Sequence, residues 1–100
     1  MHTVTLKLVT IVAERLFRER VQEELRKLGA KGFTVTDAVG HGSRGIHASQ
    51  WEGRNVRIET VVSPEVADQI VEHVAERYFE HYAVIVWVQS VDVVRGDKYI

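Results

Sequence analysis

The chain has 100 residues, of which 45% are hydrophobic and 27% are charged, and its formal net charge is -1. This balance predicts one globular domain with a single modest core, and the near-zero charge provides no broad basic face for nucleic acid. No cysteine is present for disulfides or thiolate metal sites, and neither a signal-peptide layout nor a membrane-spanning apolar run is found, so we expect a cytoplasmic protein without direct membrane insertion.

The first 39 residues predict a strand, a helix and a second strand. Residues 3–12 alternate between apolar and polar side chains, which is typical of a strand. Residues 14–28 place apolar side chains at helical spacing, and Gly29 follows where a C-cap glycine belongs. Residues 32–39 are again β-type, with threonines between apolar residues.

The second half opens with a long loop and repeats the strand and helix pattern. Residues 40–54 contain four of the seven glycines, at positions 40, 42, 45 and 53. A strand follows over residues 55–62, and Ser63-Pro64-Glu65 is a strong helix start with a hydroxyl N-cap. The helix is predicted to run to about Tyr78, and residues 83–94 form the last strand.

The order βαββαβ predicts an α+β, ferredoxin-like domain with two helices on one face of an antiparallel sheet. The first and last strands also carry apolar residues on the face that the helices leave uncovered. Exposed apolar patches of several hundred Å² usually mark interfaces. We therefore expect an oligomer in which the sheets of different subunits pack together.

The loop after the second strand is the first candidate ligand site. Gly40, Gly42 and Gly45 allow backbone N–H groups to approach a ligand, and Ser43 and Arg44 add a hydroxyl and a guanidinium. This composition favours phosphate or carboxylate oxygens over a metal ion. A plain flexible connection between two strands is the alternative.

Two further groups have both a functional and an ordinary interpretation. Arg95 and Gly96 could bind an anion after the last strand, or belong to a solvated tail. Arg57 and Glu59 could line a cleft, where Glu59 would accept from an adenine amino group or a ribose hydroxyl, or they could simply face solvent. No arrangement of residues points to catalysis, so we expect no enzyme activity.

The sequence around these candidates resembles the PII signalling superfamily. The resemblance rests on three motifs: the Gly-apolar-Thr-Val-Thr-acidic pattern of Gly32–Asp37, the following Gly40-x-Gly42, and the strand Val56–Val62 before a helix. The Gly-Ser-Arg at 42–44 and the shortened loop are closer still to the PII-like branch linked to inorganic carbon, which includes bicarbonate-transporter regulators and carboxysome-associated proteins.

The resemblance implies a homotrimer in which each subunit is a single domain over residues 1–100 with a flexible T-loop at about 40–54. Adenine nucleotides (AMP, ADP, ATP or cyclic AMP) would bind in the clefts between subunits, at the base of the T-loop. Carried over by position, the nucleotide-binding residues are Thr34, Gly40, Gly42, Ser43, Arg44, Glu59, Val61, Arg95 and Gly96. Bicarbonate would be held by Arg44 or Arg57.

The function that the resemblance implies is non-enzymatic regulation of a partner, such as a bicarbonate transporter or a carboxysome component, through the T-loop. A CutA-like trimer that uses His41 or His47 for zinc or copper is the main alternative. An RNA-binding ferredoxin-like module is a third alternative. It is disfavoured because the sequence has neither an aromatic pair on a central strand nor a basic face.

Overall fold

The structure, a computed structural model, describes residues 1–40 and 54–100. The described residues follow the predicted order βαββαβ. The strands are β1 (Thr3–Glu14), β2 (Thr34–Ala38), β3 (Asn55–Val62) and β4 (Ile85–Val94), and the helices are α1 (Arg18–Leu28) and α2 (Pro64–Tyr78). Most of the predicted loop at 40–54 lies outside the described residues, including Gly42, Ser43 and Arg44.

The sheet is antiparallel with strand order β2-β3-β1-β4. The longest strand, β1, lies between β3 and β4 and pairs with both. In this order the strands of the two strand–helix–strand halves alternate, because β3 lies between β2 and β1, and β1 lies between β3 and β4. The predicted ferredoxin-like α+β class is therefore confirmed.

Both helices pack on one face of the sheet, and the core lies between the two layers. Alternate residues of the central strands point into it because successive side chains of a strand face opposite sides. The buried hydrophobic cluster draws on β1, β3, α1 and α2 and on the turns beside them; its members are Val9, Ile11, Ala13, Phe17, Val21, Leu25, Ala30, Val56, Ile58, Val62, Ala67, Ile70, Val74 and Tyr78.

The start of α2 was predicted correctly from the sequence, whereas the start of α1 was not. Ser63 caps α2 as predicted, since its Oγ accepts from the Val66 backbone N–H at 3.3 Å. The predicted start of the first helix at residue 14 is wrong. Glu14 still belongs to β1 and pairs with Asn55, and a 3-10 turn over Arg15–Phe17 precedes α1. At Glu14, pairing of β1 with β3 is favoured over helix formation. The spacing of apolar residues along the sequence does not predict this pairing.

Strand ends also differ from prediction because pairing partners, rather than residue types, decide them. β2 covers Thr34–Ala38 instead of 32–39, and the Gly32 carbonyl accepts from the Thr60 hydroxyl at 2.6 Å instead of joining the ladder. β4 begins at residue 85 rather than 83. The residues before it form a turn, in which the Tyr82 N–H donates to the Tyr78 carbonyl. The segment Gly96–Tyr99 is a 3-10 helix rather than a tail.

The sheet face away from the helices is called the open face here. Strand alternation and register assign to it every second residue of each strand; among them are Val4, Leu6, Leu8, Thr10, Val12, Thr34, Arg57, Glu59, Val61, Trp87 and Val91. Most of these side chains are apolar, which agrees with the predicted second apolar face. Of the helices that the structure describes, none is long and apolar enough to cross a bilayer.

Candidate functional site

A polar cluster interrupts the apolar open face at the middle of the sheet. Thr34 on β2 and Thr10 on β1 both stand directly opposite Glu59 on β3. The Thr10 hydroxyl donates to Glu59 Oε2 at 3.0 Å. Thr10 is fully buried, and the Glu59 side chain is 30% exposed. The central strand therefore fixes one oxygen of the carboxylate while the side chain stays accessible.

Arg57 lies next to this carboxylate on the same face of β3. Its Nη2 is 3.5 Å from Glu59 Oε2, and its side chain is 47% exposed. The guanidinium carbon also lies 5.8 Å from the centre of the Trp87 ring on β4. Arg57 thus reaches across β1 and divides its contacts between a carboxylate and an indole.

The chemistry of the cluster suits a ligand that has both donor groups and negative charge. Glu59 can accept hydrogen bonds from an amino or hydroxyl group, and Thr34 supplies a hydroxyl opposite it. The Arg57 guanidinium can pair with a phosphate or carboxylate. Val61, the next open-face residue of β3, is half-buried opposite Leu8 and offers an apolar wall. Three of the predicted nucleotide residues, Thr34, Glu59 and Val61, are therefore brought together.

Arg95 and Gly96 lie at the far end of the same sheet. They follow Val94, which pairs with Thr3, whereas Glu59 pairs with Thr10. Thr3 and Thr10 are seven residues apart on β1, which is roughly 23 Å at about 3.3 Å per residue. Within one chain, the structure does not bring the two halves of the predicted nucleotide site together.

The turn at Arg95 and Gly96 is nevertheless unusual. Arg95 has φ 65° and ψ 35°, in the left-handed region that side-chain-bearing residues rarely adopt. Gly96 is buried, and a Cβ there would lie 2.7 Å from the Cβ of Val4. Close packing on β1 is a sufficient reason for a glycine at position 96, so a ligand is not needed to explain it.

A cleft opens where β2 and β3 lead into the undescribed segment. Its volume is about 230 Å³, and it is lined by Arg15, Asp37, Ala38, Val39, Arg54 and Asn55. The Arg15 N–H donates to the Arg54 carbonyl at 3.1 Å, which keeps two cationic residues side by side. Gly40, which is exposed, is the last described residue before this segment. The cleft marks the base of the predicted T-loop.

Several predicted ligand residues lie outside the described part of the chain. These are Gly42, Ser43 and Arg44 of the anion loop, with His41 and His47 of the alternative metal site. Over residues 1–40 and 54–100, no group of three or more His, Asp or Glu side chains could hold a metal ion. The loop residues and the CutA-like alternative remain predictions.

Sequence reasoning missed Thr10 and Trp87. Thr10 is a single hydroxyl in the apolar run Leu8–Val12, and a lone polar residue in a strand buried on both faces is a signal that could have been used. In the sequence, Trp87 stands out only as part of an apolar strand. Its contact with Arg57 depends on sheet order, which brings β3 and β4 to either side of β1.

Comparisons with known proteins cover nearly the whole chain. The family model for nitrogen regulatory protein P-II matches residues 6–98. A candidate PII-like signalling protein from Thermus thermophilus is 58% identical, with a TM-score of 0.87 and 100% of both chains covered. The structure of CPII from Thiomonas intermedia K12, bound to ADP and bicarbonate, is 25% identical, with a TM-score of 0.84 over 99% of this chain and 98% of that chain. The nitrogen regulatory protein GlnK of Escherichia coli K12 is 28% identical over 79 residues, which are 71% of this chain and 70% of GlnK.

Proposed function

This chain belongs to the family of nitrogen regulatory P-II proteins, and on that premise we propose that it is a PII-like signalling protein that binds an adenine nucleotide without transforming it. The predicted resemblance to the PII-like branch is confirmed by the similarity to the Thermus and Thiomonas proteins. The candidate ligands are AMP, ADP, ATP and cyclic AMP, and the proposed location is the cytoplasm.

The observation that carries the proposal is the placement of the polar cluster relative to Arg95. Thr34, Glu59 and Val61 form one half of a site on the open face, and Arg95 stands roughly 23 Å away on the same sheet. A nucleotide that contacts both halves needs two chains. The proposed assembly is a homotrimer in which open faces pack together, so that the base-binding half of one subunit meets Arg95 of a neighbour.

Bicarbonate is the proposed second ligand. The relative CPII was solved with ADP and bicarbonate bound, and Arg57 of this chain presents a half-exposed guanidinium beside the candidate adenine site. A small planar oxyanion matches the fork geometry of a guanidinium. Arg44, which lies outside the described residues, is the other candidate for this anion.

The proposed output is regulation of a protein partner through the loop at about 40–54. Nucleotide bound at the loop base would favour one loop conformation, and a partner that recognises that conformation would bind or dissociate accordingly. A bicarbonate transporter or a carboxysome component is the proposed partner, which follows from the carbon-linked branch that the sequence resembles. The loop carries the signal, and the sheet provides the rigid platform.

The proposal is tested by ligand binding to the purified protein. A thermal-shift panel with AMP, ADP, ATP and cyclic AMP, each with and without bicarbonate, should raise Tm for at least one nucleotide, because a ligand that binds only the native state stabilises it. Calorimetry should then show at least tenfold weaker binding by Arg44→Ala, about 1.4 kcal/mol.

Light scattering should give three subunits, and chromatography after long incubation with ATP should return intact ATP. A monomer that ignores every adenine nucleotide contradicts the proposal. Unchanged affinity in Arg44→Ala removes that residue from the phosphate site.

A further inference from the structure

We propose that Trp87 is a positioning residue of the candidate site. Its indole ring holds the Arg57 guanidinium over β1 and prevents it from pairing fully with Glu59, so that Glu59 stays available to a ligand. The inference rests on the proposed function, because it assigns a role within the same nucleotide site. Trp87 itself need not touch the nucleotide.

The argument begins with the positions of the three side chains on the open face. Thr10 on β1 has Glu59 on one side and Trp87 on the other, and Arg57 stands opposite Val12, two residues further along β1. An extended Arg57 side chain can therefore reach diagonally across β1 to the indole. The guanidinium carbon is 5.8 Å from the ring centre, within the range of a cation–π contact.

The second step is that the contact between Arg57 and Glu59 is incomplete. A well-formed arginine–carboxylate pair has two parallel N–H···O bonds of about 2.7–2.9 Å. Here a single pair of atoms, Arg57 Nη2 and Glu59 Oε2, lies at 3.5 Å. Both residues are on one face of β3 and could approach more closely, so the indole competes with the carboxylate for the guanidinium.

The third step concerns the acceptor capacity that this leaves on Glu59. Oε2 already accepts from the Thr10 hydroxyl and faces Arg57. Oε1 makes no hydrogen bond to any residue in the described part of the chain, and a carboxylate oxygen accepts more than one bond. An adenine amino group could donate there. If Arg57 were released from Trp87, its five N–H donors would compete for the same oxygens.

The test is a double-mutant cycle on ADP affinity, measured by calorimetry with the full chain. Trp87→Leu should weaken ADP binding about fivefold, and Trp87→Phe should recover most of the loss because a ring face remains. In an Arg57→Met background, the same Trp87→Leu change should alter affinity less than twofold. Gln89→Ala is the matched control, since it lies on the same face of β4 but is paired with Leu8.

A second measurement, made on the nucleotide-free protein, accompanies the double-mutant cycle. In NMR spectra of the nucleotide-free protein, the Arg57 side-chain protons should be shifted upfield by the indole ring current, and Trp87→Leu should abolish that shift. The inference is overturned if the shift is absent, if Trp87→Leu leaves ADP affinity unchanged, or if it weakens binding equally in the Arg57→Met background, which would indicate a purely structural role. A wild-type protein that binds no adenine nucleotide instead overturns the proposed function, and this inference with it.

Discussion

Gly96 packs so closely on Val4 that a Cβ at position 96 would lie 2.7 Å from the Cβ of Val4. The Cβ of Val4 is fixed by its strand and cannot rotate away. Gly96→Ala should therefore lower the free energy of unfolding by about 1–3 kcal/mol, the usual range for overpacking, with no nucleotide present. Urea unfolding followed by circular dichroism measures this.

Gly32→Ala is the control for Gly96→Ala, because a Cβ at Gly32 would meet nothing within 4 Å. The Gly32 variant should keep the stability of the wild-type protein to within about 0.5 kcal/mol. If Gly96→Ala were equally stable and lost only nucleotide affinity, the packing explanation for Gly96 would be wrong.

Arg95 adopts a left-handed backbone conformation that glycine accepts without steric cost. Arg95→Gly should raise the free energy of unfolding by about 1 kcal/mol, because glycine relieves the strain of this backbone conformation. The same change should weaken ADP binding severalfold, because the proposed contact between the Arg95 guanidinium and a phosphate is lost. Stability and affinity would then move in opposite directions, as expected for a strained residue retained for function.

The Arg95 prediction is checked by pairing urea unfolding with calorimetry on the same preparations. Lys98→Ala removes a nearby exposed cation from a position with an ordinary backbone conformation and serves as control. A stabilised Arg95→Gly protein with full ADP affinity would show that Arg95 takes no part in binding.

Glu59 is the central acceptor of the polar cluster on the open face. Glu59→Ala should weaken ADP binding about tenfold, equivalent to about 1.4 kcal/mol, because the proposed hydrogen-bond acceptor for the adenine ring is removed. Glu72→Ala, which removes a carboxylate on α2, should bind as the wild-type protein does. Equal affinity of the Glu59 and Glu72 variants in calorimetry would place the adenine elsewhere.

Tyr78 on α2 donates a hydrogen bond of 2.7 Å to Glu24 on α1. Burial first, and then this bond and the Glu24 charge, raise the pKa of the Tyr78 hydroxyl well above its ordinary value of 10.0. Above pH 10 the unfolded chain therefore releases a proton that the folded chain keeps. The stabilisation from Tyr78 is complete below pH 10, and it falls by about 1.4 kcal/mol per pH unit above it.

Tyr78→Phe isolates this contribution because it keeps the ring and removes the ionisable group. In urea unfolding between pH 9 and pH 11.5, the stability of the wild-type protein should fall more steeply than that of Tyr78→Phe. Below pH 10 the variant should be less stable by about 1.5–3 kcal/mol, because a hydrogen bond to a charged group is lost. Parallel curves at all pH values would contradict the prediction.

The amino-acid sequence by itself determined the element order and the faces of the strands and helices. Alternation in β1 and β3 and the Ser63-Pro64 start of α2 are local signals, because side-chain spacing and capping act over a few residues. The PII resemblance likewise depended on short local patterns around Gly32 and Val56, and it indicated Thr34, Glu59 and Val61 as members of one site.

Only the tertiary structure decided which of these residues meet. The order β2-β3-β1-β4 places Thr10 between Glu59 and Trp87, and it separates Glu59 from Arg95 by most of the length of β1. The tight contact of Gly96 with Val4 and the extension of β1 to Glu14 also come from pairing between distant segments. Such contacts depend on strand register and sheet order, which residue periodicity along a single segment does not specify.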